Sequence, residues 1–493
     1  MTNLYSELDT VFEQSAAQDC LRLGNGDVLR YGDVRQMVAR MGDFLVNQGV
    51  KPGDRVVAQV EKSAENLCLY LATLRCGAVY VPLNTGYTAA ELDYFVGDAE
   101  PAVFVGAEPR TDVNSFTLNG AGAGSLMDGL PESADMSDGI VERGDDDLAA
   151  ILYTSGTTGR SKGAMLSHQN LTSNARALCE AWGWQDDDVL LHALPIFHVH
   201  GLFIASHCAL LNGTPMVWLP KFDAAEVERH LPDCTVMMGV PTFYTRLLAD
   251  DAFPRAPLDQ IRVFICGSAP LTEQVFNEWE SRTGHRILER YGMSETIINT
   301  TNPLAGERVP ATVGFALPGL ELRIADDQGN TLSAGEVGTI EVRGPSVFSG
   351  YWRMPEKTSE EIRADGFFIT GDLGTVDEQG RVSIVGRAKD LVISGGYNVY
   401  PKEVESVIDE MPEVTESAVI GVPHSDFGEG VVAVVVPAAG AVDQQLVDAA
   451  LDGKLARFKQ PKRVVNVAEL PRNTMGKVQK NLLRDQYADL FSD

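Results

Sequence analysis

Through most of this 493-residue chain, short β-rich apolar runs that end at Gly or Pro alternate with stretches of helical period. Leu148–Tyr153, Val236–Val240 and Arg262–Cys266 are runs of this kind. They are too continuously apolar for strands with one wet face, so each reads as a strand buried on both sides. Val34, Met37, Val38, Met41 and Leu45 follow a 3.6-residue period closed by Gly49, and Lys51-Pro52-Gly53-Asp54 turns into a strand over 55–60. This alternation predicts α/β architecture, with parallel or mixed sheets packed between helices and ligands bound at the carboxyl ends of strands. Near Gly371 the pattern changes to short strands with Gly turns (374–376, then 381–386 and 390–394). A helix opens at Pro401, and a compact α+β unit of strands near 418–422, 431–436 and 464–467 and a helix near 444–455 completes the chain. The boundary is placed at Arg387–Lys389. The expectation is a large N-terminal domain, 1–387, of mixed sheets packed with helices, and a small mobile C-terminal α+β domain, 388–493.

Charge narrows the function classes. A formal net charge of −29 argues against a nucleic-acid surface and disfavours anionic lipid. Basic groups inside any site for anions must then work against the field of the whole protein. The stretch Leu190–Pro220 carries no Asp, Glu, Lys or Arg, yet its His, Pro, Gly and Asn residues suit a buried strand–loop–helix better than a membrane span. No basic n-region opens the chain, and the seven scattered cysteines form no C-x-x-C, so reduced thiols and a cytoplasmic location are expected.

Four segments bear chemistry. Tyr153-Thr154-Ser155-Gly156-Thr157-Thr158-Gly159-Arg160-Ser161-Lys162-Gly163 follows a predicted strand and offers close backbone N–H groups, hydroxyls and a lysine, the requirements of a polyphosphate cradle. It is not a Walker A loop. In Glu289-Arg290-Tyr291-Gly292-Met293-Ser294-Glu295-Thr296 an aromatic face can stack on a purine, and a carboxylate among hydroxyls can hold Mg²⁺. Thr370-Gly371-Asp372 offers a carboxylate to ribose hydroxyls, and Pro471-Arg472-Asn473-Thr474-Met475-Gly476-Lys477 presents a lysine beside a glycine. Taken singly, the last three read equally well as core or solvated residues.

In this order and spacing the four resemble the adenylate-forming superfamily of acyl-CoA synthetases, peptide-synthetase adenylation domains and firefly-type luciferases. The resemblance implies that Thr154, Ser155, Gly156, Thr157, Thr158, Gly159 and Lys162 hold the β- and γ-phosphates of ATP. It implies Thr154 and Glu295 on Mg²⁺, and Gly267, Ser268, Ala269, Pro270, Tyr291, Gly292, Met293 and Ser294 around the adenine. Asp372 and Arg387 would hold the ribose. Lys477 would bridge the substrate carboxylate and the α-phosphate, Lys389 would be the hinge, and Gly395 and Gly396 would line the path of coenzyme A, the co-substrate. His198 matches a histidine near the acyl pocket; zinc on His198-x-His200 lacks a third ligand nearby.

The segments around His192–His198, Pro241–Arg246 and Pro471–Lys480 look like those of bacterial malonyl-CoA synthetases. That likeness implies malonate as the acid, with Arg246 on its distal carboxylate and Arg290 and His200 as further candidates. A snorkelling Arg246 on an outer helix face remains an equal reading of its sequence context. Methylmalonate or a short monocarboxylate is the alternative within the class, and a non-catalytic acyl or nucleotide sensor is the alternative outside it. A lysine acetyltransferase acting on Lys477 is an expected partner, because acylation would remove the charge the reaction needs.

Overall fold

The computed structural model describes residues 3–134, 136, 139–154, 161–473 and 477–491. Among them four sheets carry the fold. In the largest, Leu288–Tyr291, Val263–Cys266, Val236–Gly239, Leu190–His192, Met216–Trp218 and Asp19–Leu23 lie side by side and parallel. Every residue of the second and third of these strands is buried, as two-sided cover by helices demands. A six-stranded sheet sets Arg55–Gln59, Val79–Pro82 and Leu148–Thr154 parallel, and ends in Lys162–Ser167, which folds back antiparallel.

The helix of residues 31–47 buries Val34, Val38, Met41 and Leu45, the phase its apolar period predicts. The uncharged Leu190–Pro220 stretch becomes a strand, a π-helical turn over His200–Ala205, a helix over Ser206–Asn212 and a second strand. No helix among the described residues is long and apolar enough to cross a membrane.

The change of pattern expected near Gly371 starts earlier. Glu321–Ala325, Gly338–Arg343, Phe368–Val376 and Val382–Arg387 form one antiparallel sheet, and Ile324, Ile340, Phe368 and Val382 join the apolar core that begins at Leu4. Two further apolar clusters draw only on residues from Val392 onward. They cover the two faces of a sheet in which Val414–His424 pairs antiparallel with Gly428–Pro437, and Arg463–Asn466 runs parallel to the latter.

Candidate active site

The two strands that frame the Ser/Thr/Gly loop set its geometry. Thr154 and Lys162 are register partners, so the hairpin closes the loop's two roots against each other. The helix Ala89–Ala99 grips both roots: the Tyr153 hydroxyl donates to Asp98 at 2.5 Å and the Tyr94 hydroxyl donates to the Ser161 carbonyl at 2.9 Å. A side chain at Gly163 would meet Ile151 at 2.8 Å, so only glycine lets the strands approach there. Ser155, Gly156, Thr157, Thr158 and Gly159, expected to hold the phosphates, lie outside the described residues.

Lys162 reaches across the sheet to a region the sequence reading did not single out. Its Nζ lies 3.1 Å from Glu361 Oε1 and 4.1 Å from the centre of the Tyr351 ring. The Tyr351 hydroxyl sits between two carboxylates, 2.7 Å from Glu361 Oε2 and 3.1 Å from Glu295 Oε1. Glu295 is buried, and burial raises its pKa above the ordinary carboxylate value. Such a carboxylate gains most from a cation. No cluster of three or more His, Cys, Asp or Glu able to hold a metal occurs among the described residues. The donors present, Glu295 and the Thr154 hydroxyl, fit Mg²⁺, a hard ion that takes one or two protein oxygens and fills its shell with phosphate and water.

Carboxyl ends of the parallel strands supply the next wall. Val263–Cys266 runs into Gly267-Ser268-Ala269-Pro270, where Ser268 holds a left-handed φ of 72°. Leu288–Tyr291 runs into Gly292-Met293-Ser294-Glu295. There a Cβ on Gly292 would stand 2.0 Å from the Ile297 carbonyl. Backbone in sparsely populated conformations is costly and clusters at functional sites. Tyr291 donates its hydroxyl to Asp372 Oδ2 at 2.6 Å, and Arg387 Nε lies 3.1 Å from Asp372 Oδ1. Asp372 and Arg387 face each other in register on adjacent strands, so the two ribose candidates and the aromatic candidate meet at one point.

The residue before Tyr291 is a buried cation. Arg290 is 3% exposed, and its Nε and Nη2 have no hydrogen-bond partner among the described residues. A Cβ on Gly267 would fall 2.6 Å from the guanidinium, so that glycine makes its room. His200 is buried, with Nδ1 3.2 Å from the Ser268 hydroxyl and Nε2 unpartnered. Burial, then the charges of Lys477 and Arg290, push His198 down to about 3. Burial chiefly, with Arg290 next, also keeps His200 neutral. Lys477 is lowered to about 8, by burial first and then by Arg387, with Asp372 and Glu295 acting in the opposite sense. Lys477 is thus within electrostatic range of Arg387, Asp372, Glu295, Arg290 and His198.

Arg246 does not join them. Its helix, Pro241–Leu248, turns Phe243, Tyr244, Leu247 and Leu248 into the core and leaves Thr245 and Arg246 exposed. Arg246 is thus exposed on its helix, whereas Arg290 is buried.

The sequence model of the AMP-binding enzyme family matches residues 10–352, and that of the AMP-binding enzyme C-terminal domain matches residues 403–477. The chain belongs to this family. Among solved AMP-binding enzymes it superposes on ATP-bound MatB from Rhodopseudomonas palustris with a TM-score of 0.94, at 52% identity over the whole of both chains. Against the apo form of the same protein the score is 0.84, at 53% identity and 99% coverage of each chain. The malonate–CoA ligase of Arabidopsis thaliana is 36% identical over 480 residues, covering 88% of this chain and 78% of the relative. A feruloyl-CoA synthase of Amycolatopsis sp is also 36% identical, covering 94% of each chain.

In this AMP-binding enzyme Lys477 couples to Arg387, Asp372 and Glu295, whereas Gly395 and Gly396 are exposed to solvent. The two glycines form a two-residue turn between Val392–Ser394 and Tyr397–Val399. Their φ values of 60° and 82° suit a type I′ hairpin.

Proposed function

We propose that the chain is an ATP-dependent acid–CoA ligase that converts malonate to malonyl-CoA. A malonate carboxylate oxygen attacks the α-phosphorus of ATP and pyrophosphate leaves. The thiol of coenzyme A then attacks the acyl carbon and AMP leaves. Lys477, between Arg387, Asp372 and Glu295, neutralises charge where carboxylate and α-phosphate meet. Thr154 and Lys162 face the leaving pyrophosphate, and Asp372 and Arg387 hold the ribose. Glu295 and Thr154 would hold Mg²⁺, which supplies charge neutralisation of the phosphates. The thioester step then requires the C-terminal domain to turn about Lys389, withdraw Lys477 and bring Gly395 and Gly396 to the site. Acylation of Lys477 by a lysine acetyltransferase would remove the same charge and silence the first step.

The observation that carries the choice of acid is the buried Arg290 with two unpartnered N–H-bearing nitrogens beside the unpartnered Nε2 of His200. An unmade hydrogen bond on a buried charged group is costly, and a second carboxylate on the substrate would satisfy it. A monocarboxylate of similar size would leave it unmet. The test is Arg290→Met beside Arg246→Leu. A charge-assisted contact is worth about 1.5–3 kcal/mol. On that scale Arg290→Met lowers kcat/KM for malonate roughly ten- to hundredfold and leaves butyrate unchanged or improved. Arg246→Leu keeps the malonate-to-butyrate ratio. A ratio unchanged in Arg290→Met refutes the assignment.

A further inference from the structure

Lys162 stands at the exit of the phosphate loop, yet its ammonium is bound to a carboxylate of this chain. Glu361 ends the short helix Pro355–Glu361, and its Oε1 lies 3.1 Å from Lys162 Nζ, with both side chains 21% exposed. Glu361 does not depend on that contact. Its Oε2 accepts the Tyr351 hydroxyl at 2.7 Å, and Lys357, one helical turn earlier, lies 3.2 Å from Oε1. Lys162 also rests over the Tyr351 ring, 4.1 Å from its centre. A lysine on a flexible stem, held by an anion that keeps two other partners, can exchange that anion at low cost.

We propose that Glu361 is a positioning residue that competes with polyphosphate for Lys162. It holds the lysine between turnovers, yields it to the β- and γ-phosphates of ATP, and takes it back as pyrophosphate leaves. This rests on Lys162 being a polyphosphate ligand. The carboxylate thus weakens polyphosphate binding and speeds pyrophosphate release. AMP, with no β- or γ-phosphate, does not feel it.

The test is calorimetric titration of the full-length protein with ATP, AMP and inorganic pyrophosphate in magnesium buffer, with pyrophosphate product inhibition measured alongside. Glu361→Gln keeps an acceptor for the Tyr351 hydroxyl but loses the charge that pairs with Lys162. It is expected to bind ATP and pyrophosphate about three- to tenfold tighter, the scale of a part-buried ion pair. AMP affinity should stay within twofold, and pyrophosphate should inhibit at correspondingly lower concentration. A carboxylate that served only to fold this corner would give weaker binding of all three, and that result, or no change in any, overturns the proposal. Lys162→Ala separates the two readings. If it fails to weaken ATP and pyrophosphate relative to AMP by about tenfold, Lys162 is not the polyphosphate ligand. If it does weaken them while Glu361→Gln changes nothing, the hand-over alone is wrong.

Discussion

Lys477 is a cation that the site itself makes less basic. Burial and the neighbouring Arg387 lower it to about 8, so its charged form is present below that pH and is lost above it. The kcat/KM for pyrophosphate release, which reports the free enzyme, should therefore be flat through neutrality and fall about tenfold per unit above pH 8. His198, held at about 3, and His200, kept neutral, add no acid limb between pH 5 and 7. Lys477→Ala should run about 10²–10³-fold slower in adenylation, without the alkaline limb, while transfer from supplied malonyl-adenylate to coenzyme A persists. An alkaline limb that survives in the variant assigns that titration to another group. At this scale the sequence was legible wherever chemistry is local. Asp372 and Tyr291 stand out in their motifs, and the fold brings them together, hydroxyl on carboxylate. The exposure of Arg246 was legible too: the apolar pairs Phe243-Tyr244 and Leu247-Leu248 set the helical phase and leave position 246 outside.

Among the elements, the π-helical turn His200–Ala205 shows how tightly the backbone around Pro195 is packed. A Cβ on Gly201 would lie 2.1 Å from the Pro195 carbonyl, and His192 Nε2 is 2.9 Å from the Gly201 carbonyl. Such turns recur at functional sites. Gly201→Ala must push Pro195–His198 away, an overpacking cost of about 1–3 kcal/mol. The expected result is a lower Tm by calorimetry, with malonate kcat/KM falling more than the affinity for AMP. A variant of unchanged Tm would show that the turn yields freely. The strand Leu148–Thr154 could be read from sequence because the apolar run and the turn chemistry after it are short-range. The helix Pro355–Glu361 could not be assigned a role, because it buries none of its residues and shows no apolar stripe. Its partner Lys162 lies 199 positions away, a pairing that only the folded sheets create.

Across the whole molecule, a chain of net charge −29 brings Arg290, Lys477 and Arg387 within electrostatic range of one another. The surface repels anions and the site attracts them, so selectivity rests on short-range contacts. The 3₁₀ turn Ala388–Asp390 precedes the residues that form their own apolar clusters from Val392 onward, and Arg484 ties it to them through Asp390 at 3.0 Å. Proline fixes φ near −65° and removes an N–H, so Lys389→Pro should slow thioester formation much more than adenylation in single-turnover assays. Equal slowing of both steps would mean that the hinge lies elsewhere.

The account as a whole stands on the acid. The most direct measurement is the initial rate of CoA-dependent AMP release by the unmodified protein with malonate, methylmalonate, acetate, butyrate and ferulate at equal concentration, with each acyl-CoA identified by mass. The buried Arg290 and His200 predict malonyl-CoA as the fastest product, ahead of the monocarboxylates by roughly the ten- to hundredfold that one charge-assisted contact supplies. A monocarboxylate or ferulate turned over faster than malonate would contradict it.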